Sequence, residues 1–289
     1  MNSEKHEVLL RMRAIELLAL WEGRVITNHL VDWFGVSRQQ ASNDIKRYIN
    51  DRNPGSMVYR PGDKGYIPKP DFKPVLTSGQ VNEYLEMIVG VSNQSVAVTL
   101  EAKEHFSAVQ LPDRSVKPEV LRALLKACRV GVPVKIIYAS MNNPVPHERV
   151  ISPHTLIYSG FRWHVRAYCH LRNEYRDFVL SRITQPEDAN EAFISSAEDT
   201  LWNESVSLVL VANSNLTSEQ QRLVERDYGM SEGVLEFSTR KALVHYTLQR
   251  FQAAISAEER KEPLKFPIMV SEPCALDLQD VLFGGTGNA

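Results

Sequence analysis

From Val132 to Ile183 the apolar residues fall at alternate positions, in short runs broken by Gly, Pro and Asn. Alternation sends successive side chains to opposite sides, which a strand does and a helix does not. The runs "VPVKIIYAS", "HERVISPHTLIYS", "FRWHVRAYCHL" and "YRDFVLSRI" therefore read as four or five short strands. Strands this short and this closely spaced predict a small β-barrel. In the third run Phe161, Trp163, Val165, Ala167 and Cys169 face one way, and Arg162, His164, Arg166 and Tyr168 the other. Trp163, on the apolar side, is expected to pack inside the barrel. The opposite side is cationic, so this strand can stand on a core and still seat an anion. On neighbouring runs Tyr138 and Ser140 share a face, as do Arg176, Phe178, Leu180 and Arg182, and His154 follows Pro153 at a strand start.

Upstream the period is helical. Val8, Leu9, Met12, Ile15 and Leu18 recur at helix spacing over residues 7–21, and Gly23 stops that helix. Thr27 is placed to cap a second helix, "TNHLVDWF", and Gly35 to make the turn after it. Ser37 caps a third, and Gln40 three residues on completes a capping box. Ala41, Ile45, Tyr48 and Ile49 are that helix's buried stripe. "MVYRPGDKGYIP" then reads as a hairpin turning through Pro-Gly-Asp-Lys-Gly. Three helices and a small hairpin are the order of a winged helix-turn-helix. The first two turns of the third helix carry Arg38, Gln39, Gln40, Ser42 and Asn43. Arg pairs with guanine, and Asn or Gln with adenine, in the major groove. Lys46, Arg47, Arg60 and Lys64 are placed for phosphates.

"PKPDFKPVLTSG" (68–79) reads as a linker, with Ser78 capping a helix to about Val89. Residues 91–112 are ambiguous: "SVAVTLE" reads as a strand, and "EAKEHFSAV" as either strand or helix. Pro118 opens a helix, "PEVLRALLKACRVG", that Gly131 ends. After an acidic, partly helical stretch to Asn203, the order strand, helix, strand, helix, strand runs from "SVSLVLVAN" to "LKFPIMVS". It predicts a small α/β sandwich, an open sheet with helices on one face. The chain is thus α+β and multidomain.

Charge follows the same division. Residues 1–70 hold 11 Lys/Arg against 8 Asp/Glu, and residues 142–185 hold 6 against 3 with four histidines. Residues 186–289 hold 8 against 17, so the net −2 conceals two basic modules and one acidic one. Basic surfaces suit anionic partners, and the acidic module suits self-association rather than nucleic acid. Three widely spaced cysteines and no signal-peptide pattern predict a reduced, cytoplasmic setting. No cofactor fingerprint is present. His147, His154, His164 and His170 lack a metal-ligand spacing, and Ser140 or Ser181 with a histidine and Asp177 lacks the Gly-x-Ser-x-Gly elbow, so neither metal ligation nor catalysis is expected.

The stretch Ile151–Ile183 resembles a WYL domain. The family's Trp-Tyr-Leu strand reads here Trp163-His164-Val165, and its downstream arginine pair is Arg176 and Arg182. With His for Tyr, and with a winged helix before and an extension after, the chain is similar to regulators found beside bacterial anti-phage defence operons. The resemblance implies a homodimeric transcription factor with an Sm- or SH3-like WYL barrel sensing a nucleotide-like or nucleic-acid anion. It assigns the pocket to His154, His164, Arg166, Arg176 and Arg182, with Ser140 beside them. A charged His164 would make binding pH-sensitive. The implied division is 1–70 for DNA, 71–131 connecting, 132–190 for sensing and 191–289 for dimerisation. The resemblance also implies an inverted-repeat operator and repression of a phage-defence operon. The competing reading is a non-regulatory accessory protein whose barrel grips single-stranded nucleic acid.

Overall fold

The computed structural model describes residues 3–93 and 115–282, and the chain divides into two compact units at Gln110/Leu111. The stretch 91–112, ambiguous in sequence, lies largely outside the described residues.

The first unit holds α1 (Ser3–Glu22), α2 (Thr27–Phe34), α3 (Arg38–Arg47), the hairpin β1 (Met57–Arg60) and β2 (Gly65–Pro68), and α4 (Val81–Asn93). Met12, Ile15, Leu18, Leu30, Ala41, Ile45 and Tyr48 form its core, each fully buried. Burying such a side chain stabilises by about 1.5–3 kcal/mol before entropy is set against it. Gly35 takes the left-handed conformation, φ 64°, that lets α2 stop and α3 start. Two expected caps differ. Ile26, not Thr27, precedes α2, and no side chain caps it. Ser37 Oγ does accept from the Gln40 N–H at 3.1 Å, but the Gln40 amide donates to Asp44 Oδ1 at 2.8 Å. Asp44 is held in place by Arg11, Nε to Oδ2 2.6 Å, so it outcompetes the Ser37 backbone for Gln40.

The linker is pinned rather than loose. The buried Glu16 carboxylate accepts from Tyr48 Oη (2.6 Å), from the N–H groups of Val75 (2.8 Å), Leu76 (2.9 Å) and Thr77 (2.8 Å), and from Thr77 Oγ1 (2.8 Å). A carboxylate taken out of water needs this many donors to be tolerated.

The second unit begins with α5 (Pro118–Val130), which Gly131 ends as expected. Five strands follow: β3 (Val134–Tyr138), β4 (His147–Tyr158), β5 (Trp163–Cys169), β6 (Glu174–Val179) and β7 (Ile183–Asp188). They pair antiparallel in the order β6-β5-β4-β3-β7. Val120, Leu124 and Ala127 of α5 pack on Val134, Ile136, Ile151, Val165, Ala167 and Phe178 of the sheet. The closed barrel expected from the sequence is absent among the described residues, because β6 and β7 are the two edges and do not pair with each other. "YRDFVLSRI" is not one strand either. A 3-10 turn at Leu180–Arg182 breaks it, because β7 must leave β6 and reach the far side of β3. Arg176 and Arg182 therefore do not share one strand face.

The remainder comprises α6 (Thr200–Asn203), β8 (Ser205–Ala212), α7 (Ser218–Asp227), β9 (Val234–Arg240), α8 (Val244–Phe251), α9 (Ala257–Arg260), β10 (Ile268–Val270), α10 (Glu272–Asp277) and α11 (Gln279–Leu282). Its sheet is antiparallel in the order β10-β8-β9, and α7 opens with the full Thr217/Gln220 capping box. Leu208, Leu210, Val244, Leu248 and Ile268 are fully buried at its centre.

Candidate functional site

Two polar surfaces stand out, one in each unit. In the first, α3 buries Ala41, Asp44 and Ile45 and presents Arg38, Gln39, Gln40, Asn43, Lys46 and Arg47 to solvent, with Ser42 half-buried. The side that faces outward is the one with hydrogen-bonding side chains, because helical spacing sends the apolar stripe to the core. Gln39 Nε2 donates to Asn43 Oδ1 at 3.2 Å, so these two amides are held side by side. Arg47 lies 3.8 Å from Asp51, a loose surface pair. Arg60 and Lys64 are exposed on the hairpin, with Lys64 in the left-handed region at its tip.

The second surface is a buried ionic network on the cationic side of β5. Register places Arg166 opposite Asp177 on β6 and beside Thr155 on β4. The β4–β5 register slips between Pro153 and Thr155, so His154 is the extra residue of a bulge. A bulge re-aims its side chain, and His154 Nε2 meets Asp199 Oδ2 at 3.2 Å. Asp199 caps α6 from the far side of the network and accepts from the Trp202 N–H at 3.1 Å. It also accepts twice from Arg166, at 2.6 Å (Nε to Oδ2) and 2.9 Å (Nη2 to Oδ1). Arg166 Nη1 reaches Asp177 Oδ1 at 3.2 Å, and Tyr246 of α8 donates to Asp177 Oδ2 at 2.8 Å. His164 lies against the Tyr246 ring, centroids 5.0 Å apart.

The electrostatics follow from the burial. His164 is 1% exposed, and burial, with Arg162 and Arg182 nearby, lowers its pKa to about 4. It is neutral at physiological pH, and its Nδ1 has no partner. Burial raises the Asp199 carboxyl, but its bonds to His154 and Arg166 and the Arg166 charge outweigh that and hold it at about 2. Burial raises Asp177, and it raises the Tyr246 phenol further. The stacked carboxylates keep Arg166 charged against its own burial.

Of the residues expected to bind an anion, His154, His164 and Arg166 come together in this network. Arg182, at the 3-10 turn, acts on His164 through its charge. Arg176 is on β6 opposite Ala167, 3.4 Å from Glu174. Ser140 closes the turn after β3, its Oγ accepting from the Asn143 N–H at 3.0 Å, apart from this network. Two internal carboxylates thus already neutralise Arg166, through three of its five N–H groups. Sequence reasoning missed Asp199 and Asp177 as its partners, and Tyr246 as the donor to Asp177. Trp163 is corrected outright. It is 48% exposed, because it begins β5 at the hairpin end opposite Tyr158, beyond the reach of the core. Among the described residues no cluster of His, Cys, Asp and Glu could hold a metal ion, and no helix is long and apolar enough to cross a membrane.

Comparison with known proteins covers the whole layout. Residues 7–90 match the BrxR transcriptional regulator winged helix-turn-helix domain, 119–188 the WYL domain, and 205–276 the BrxR transcriptional regulator C-terminal dimerization domain. The DNA-binding transcriptional repressor CapW of Escherichia coli (strain KTE188) is 34% identical over 248 residues, covering 82% of this chain and 80% of that protein. CapW of Stenotrophomonas maltophilia is 34% identical over 83% and 81%, and CapW of Pseudomonas aeruginosa is 32% identical over 89% and 87%. Proteasome accessory factor B/C (PafBC) of Arthrobacter aurescens aligns at 18% identity with a TM-score of 0.27, over 97% of this chain and about half, 49%, of that one.

Proposed function

The chain belongs to the WYL-domain family of DNA-binding transcriptional repressors that includes CapW, and from that membership we propose that it is a homodimeric repressor of a phage-defence operon, released by an anionic nucleotide or nucleic-acid effector. On this reading residues 1–70 read an inverted-repeat operator, 71–131 connect, 132–190 sense the effector, and 191–289 join two copies. Arg38, Gln39, Gln40, Ser42 and Asn43 reach base edges; Lys46, Arg47, Arg60 and Lys64 take phosphates.

One observation carries the proposal. The solvent side of α3 carries Arg38, Gln39, Gln40, Asn43, Lys46 and Arg47 while its other side is locked to α1 through Arg11–Asp44 and Ile45. A helix held on one side and offering Arg, Gln and Asn on the other suits the major groove. The effector releases DNA only if it binds one dimer geometry better than the other, since equal affinity shifts nothing. The buried network at Arg166 supports a sensing role because it joins β4, β5 and β6 to α6 and α8 in one coupled set of charges. His154, His164, Arg166, Arg176, Arg182 and Ser140 are the residues we assign to sensing.

A gel shift on the protein's own upstream DNA tests the proposal. Tight binding to an inverted repeat and weak binding to a single strand of the same sequence support it. Equal binding to any strand points instead to the accessory, single-strand-binding protein.

A further inference from the structure

Arg166 is spent on Asp199 and Asp177. The cations that remain for a ligand lie elsewhere. The β4–β5 hairpin turns through Ser159–Arg162 and is closed by its own hydrogen bonds: the Ser159 N–H and Oγ both donate to the Arg162 carbonyl, at 3.1 and 3.2 Å, and Tyr158 Oη donates to the Gly160 carbonyl at 3.0 Å. Beside it is a cleft of about 240 Å³ lined by Ser159, Phe161, Arg162 and Gln249, the last from α8. The next residue of α8, Arg250, lies across the hairpin tip. Gly160, at φ +92°, takes a backbone conformation that favours glycine, and the place of its missing Cβ is 3.0 Å from Arg250 Nε, so the Arg250 side chain packs directly on the turn. Neither Arg162 nor Arg250 has a carboxylate partner among the described residues.

The same hairpin carries three aromatic rings about half exposed: Tyr158 at 52%, Phe161 at 47% and Trp163 at 48%. Tyr158 and Trp163 are tilted against each other with centroids 5.0 Å apart, and Phe161 has no ring partner among the described residues. Exposed rings beside unpaired guanidinium groups are what binds a phosphate that carries a flat base. At about 240 Å³ the cleft is smaller than the usual ligand site, which runs from about 300 Å³, so it can hold part of one phosphorylated nucleoside and not a length of chain.

We propose that this cleft, built by the β4–β5 hairpin and α8, binds a phosphorylated nucleoside, with Arg162 and Arg250 on the phosphate and Phe161 on the base. The nucleoside is either a free mononucleotide or the 5′-phosphate end of a strand. As the seat of the effector it rests on the sensor reading above; as a binding site it does not. It joins the WYL sheet to the element that follows β9, so occupancy is felt on both sides.

The test is calorimetric titration of the full chain with AMP, with 5′-phosphorylated hexathymidylate, and with unphosphorylated hexathymidylate. At least one phosphorylated probe should bind, and which one does identifies the source. Arg162→Ala and Arg250→Ala should each weaken it tenfold or more, and Arg250→Lys by less. Phe161→Ala should weaken it by about tenfold, the scale of one lost base stack. These side chains are exposed or half-exposed, so the variants keep their fold, which circular dichroism checks. If the variants bind as wild type does, or if no phosphorylated probe binds, the proposal falls. If Arg162→Ala or Phe161→Ala alters the sedimenting dimer and leaves probe binding alone, the hairpin is a protein contact and the proposal falls too. If the probe releases operator and only Arg176→Ala or Arg182→Ala abolishes that, the sensor reading stands and this cleft is wrong. If the cleft variants lose a probe that never affects operator binding, the site stands and the sensor reading is wrong.

Discussion

Arg166 and Asp199, 33 residues apart, meet in a two-point ion pair with bonds of 2.6 and 2.9 Å, and both side chains are at least 95% buried. Removing one member leaves the other charged and without water. Asp199→Ala should therefore destabilise the chain by about 3–5 kcal/mol, read as a lower urea midpoint. The double variant Arg166→Met/Asp199→Ala should recover part of that loss, because only Asp177 is then left without its cation, and burial already favours the neutral form of that carboxyl. Additive losses would show that the pair is not coupled.

Glu16 has the corresponding role in the first unit. Glu16→Ala strips five donors of their acceptor and should cost on the order of 2–4 kcal/mol. Tyr48→Phe removes one of those donors and should cost about 1 kcal/mol. Proteolysis in the segment 73–77 should rise with Glu16→Ala more than with Tyr48→Phe. Equal protection would show that the linker is held by something other than this carboxylate.

His164 sets a pH dependence of definite sign. Its folded pKa of about 4 is below the ordinary 6.5, so the unfolded chain binds the extra proton first. Stability is whole above pH 6.5 and is lost as pH falls towards 4. By linkage this one group should remove about 2 kcal/mol between pH 7 and pH 5. Asp199, held at about 2, begins to matter only below pH 4 and acts in the same direction. His164→Gln should flatten the unfolding free energy between pH 7 and 5 relative to wild type. A variant with the wild-type slope would assign the dependence to other groups.

On α3, Arg38→Ala and Asn43→Ala should each cost about 1–3 kcal/mol of operator binding, and relax specificity at one base position. Lys46→Ala should weaken every sequence alike and lower the salt slope by about one. Anisotropy titrations at three salt concentrations separate the two classes.

The local features were legible in the sequence. Period and punctuation placed α3, the hairpin, α5 and the strands β3 to β6 of the WYL sheet, because each depends on residues within one or two turns. What the sequence hid depends on distant partners. Gln40 left its capping box for Asp44 because Arg11, 33 residues away, fixes that carboxylate. Nothing in "SSAEDTLWNE" announces that Asp199 neutralises Arg166, since no spacing rule links residues that far apart. The break at Leu180–Arg182 carries no Gly or Pro; it is imposed by where β7 must pair. Trp163 was misjudged because alternation gives a side, not the distance from the core. The cationic character of the β5 face was visible, but which of its arginines is already neutralised was not.

The central claim is sequence-specific duplex recognition by the exposed side of α3. Its most direct measurement is the affinity of the wild-type chain for the inverted repeat upstream of its own coding region, against a scrambled duplex of the same length at the same salt. The account predicts a preference of about a thousandfold or more, reduced at least fivefold by Arg38→Ala while binding to the scrambled duplex stays within about twofold. Equal affinity for the two duplexes, or an Arg38→Ala protein that keeps the full preference, would contradict it.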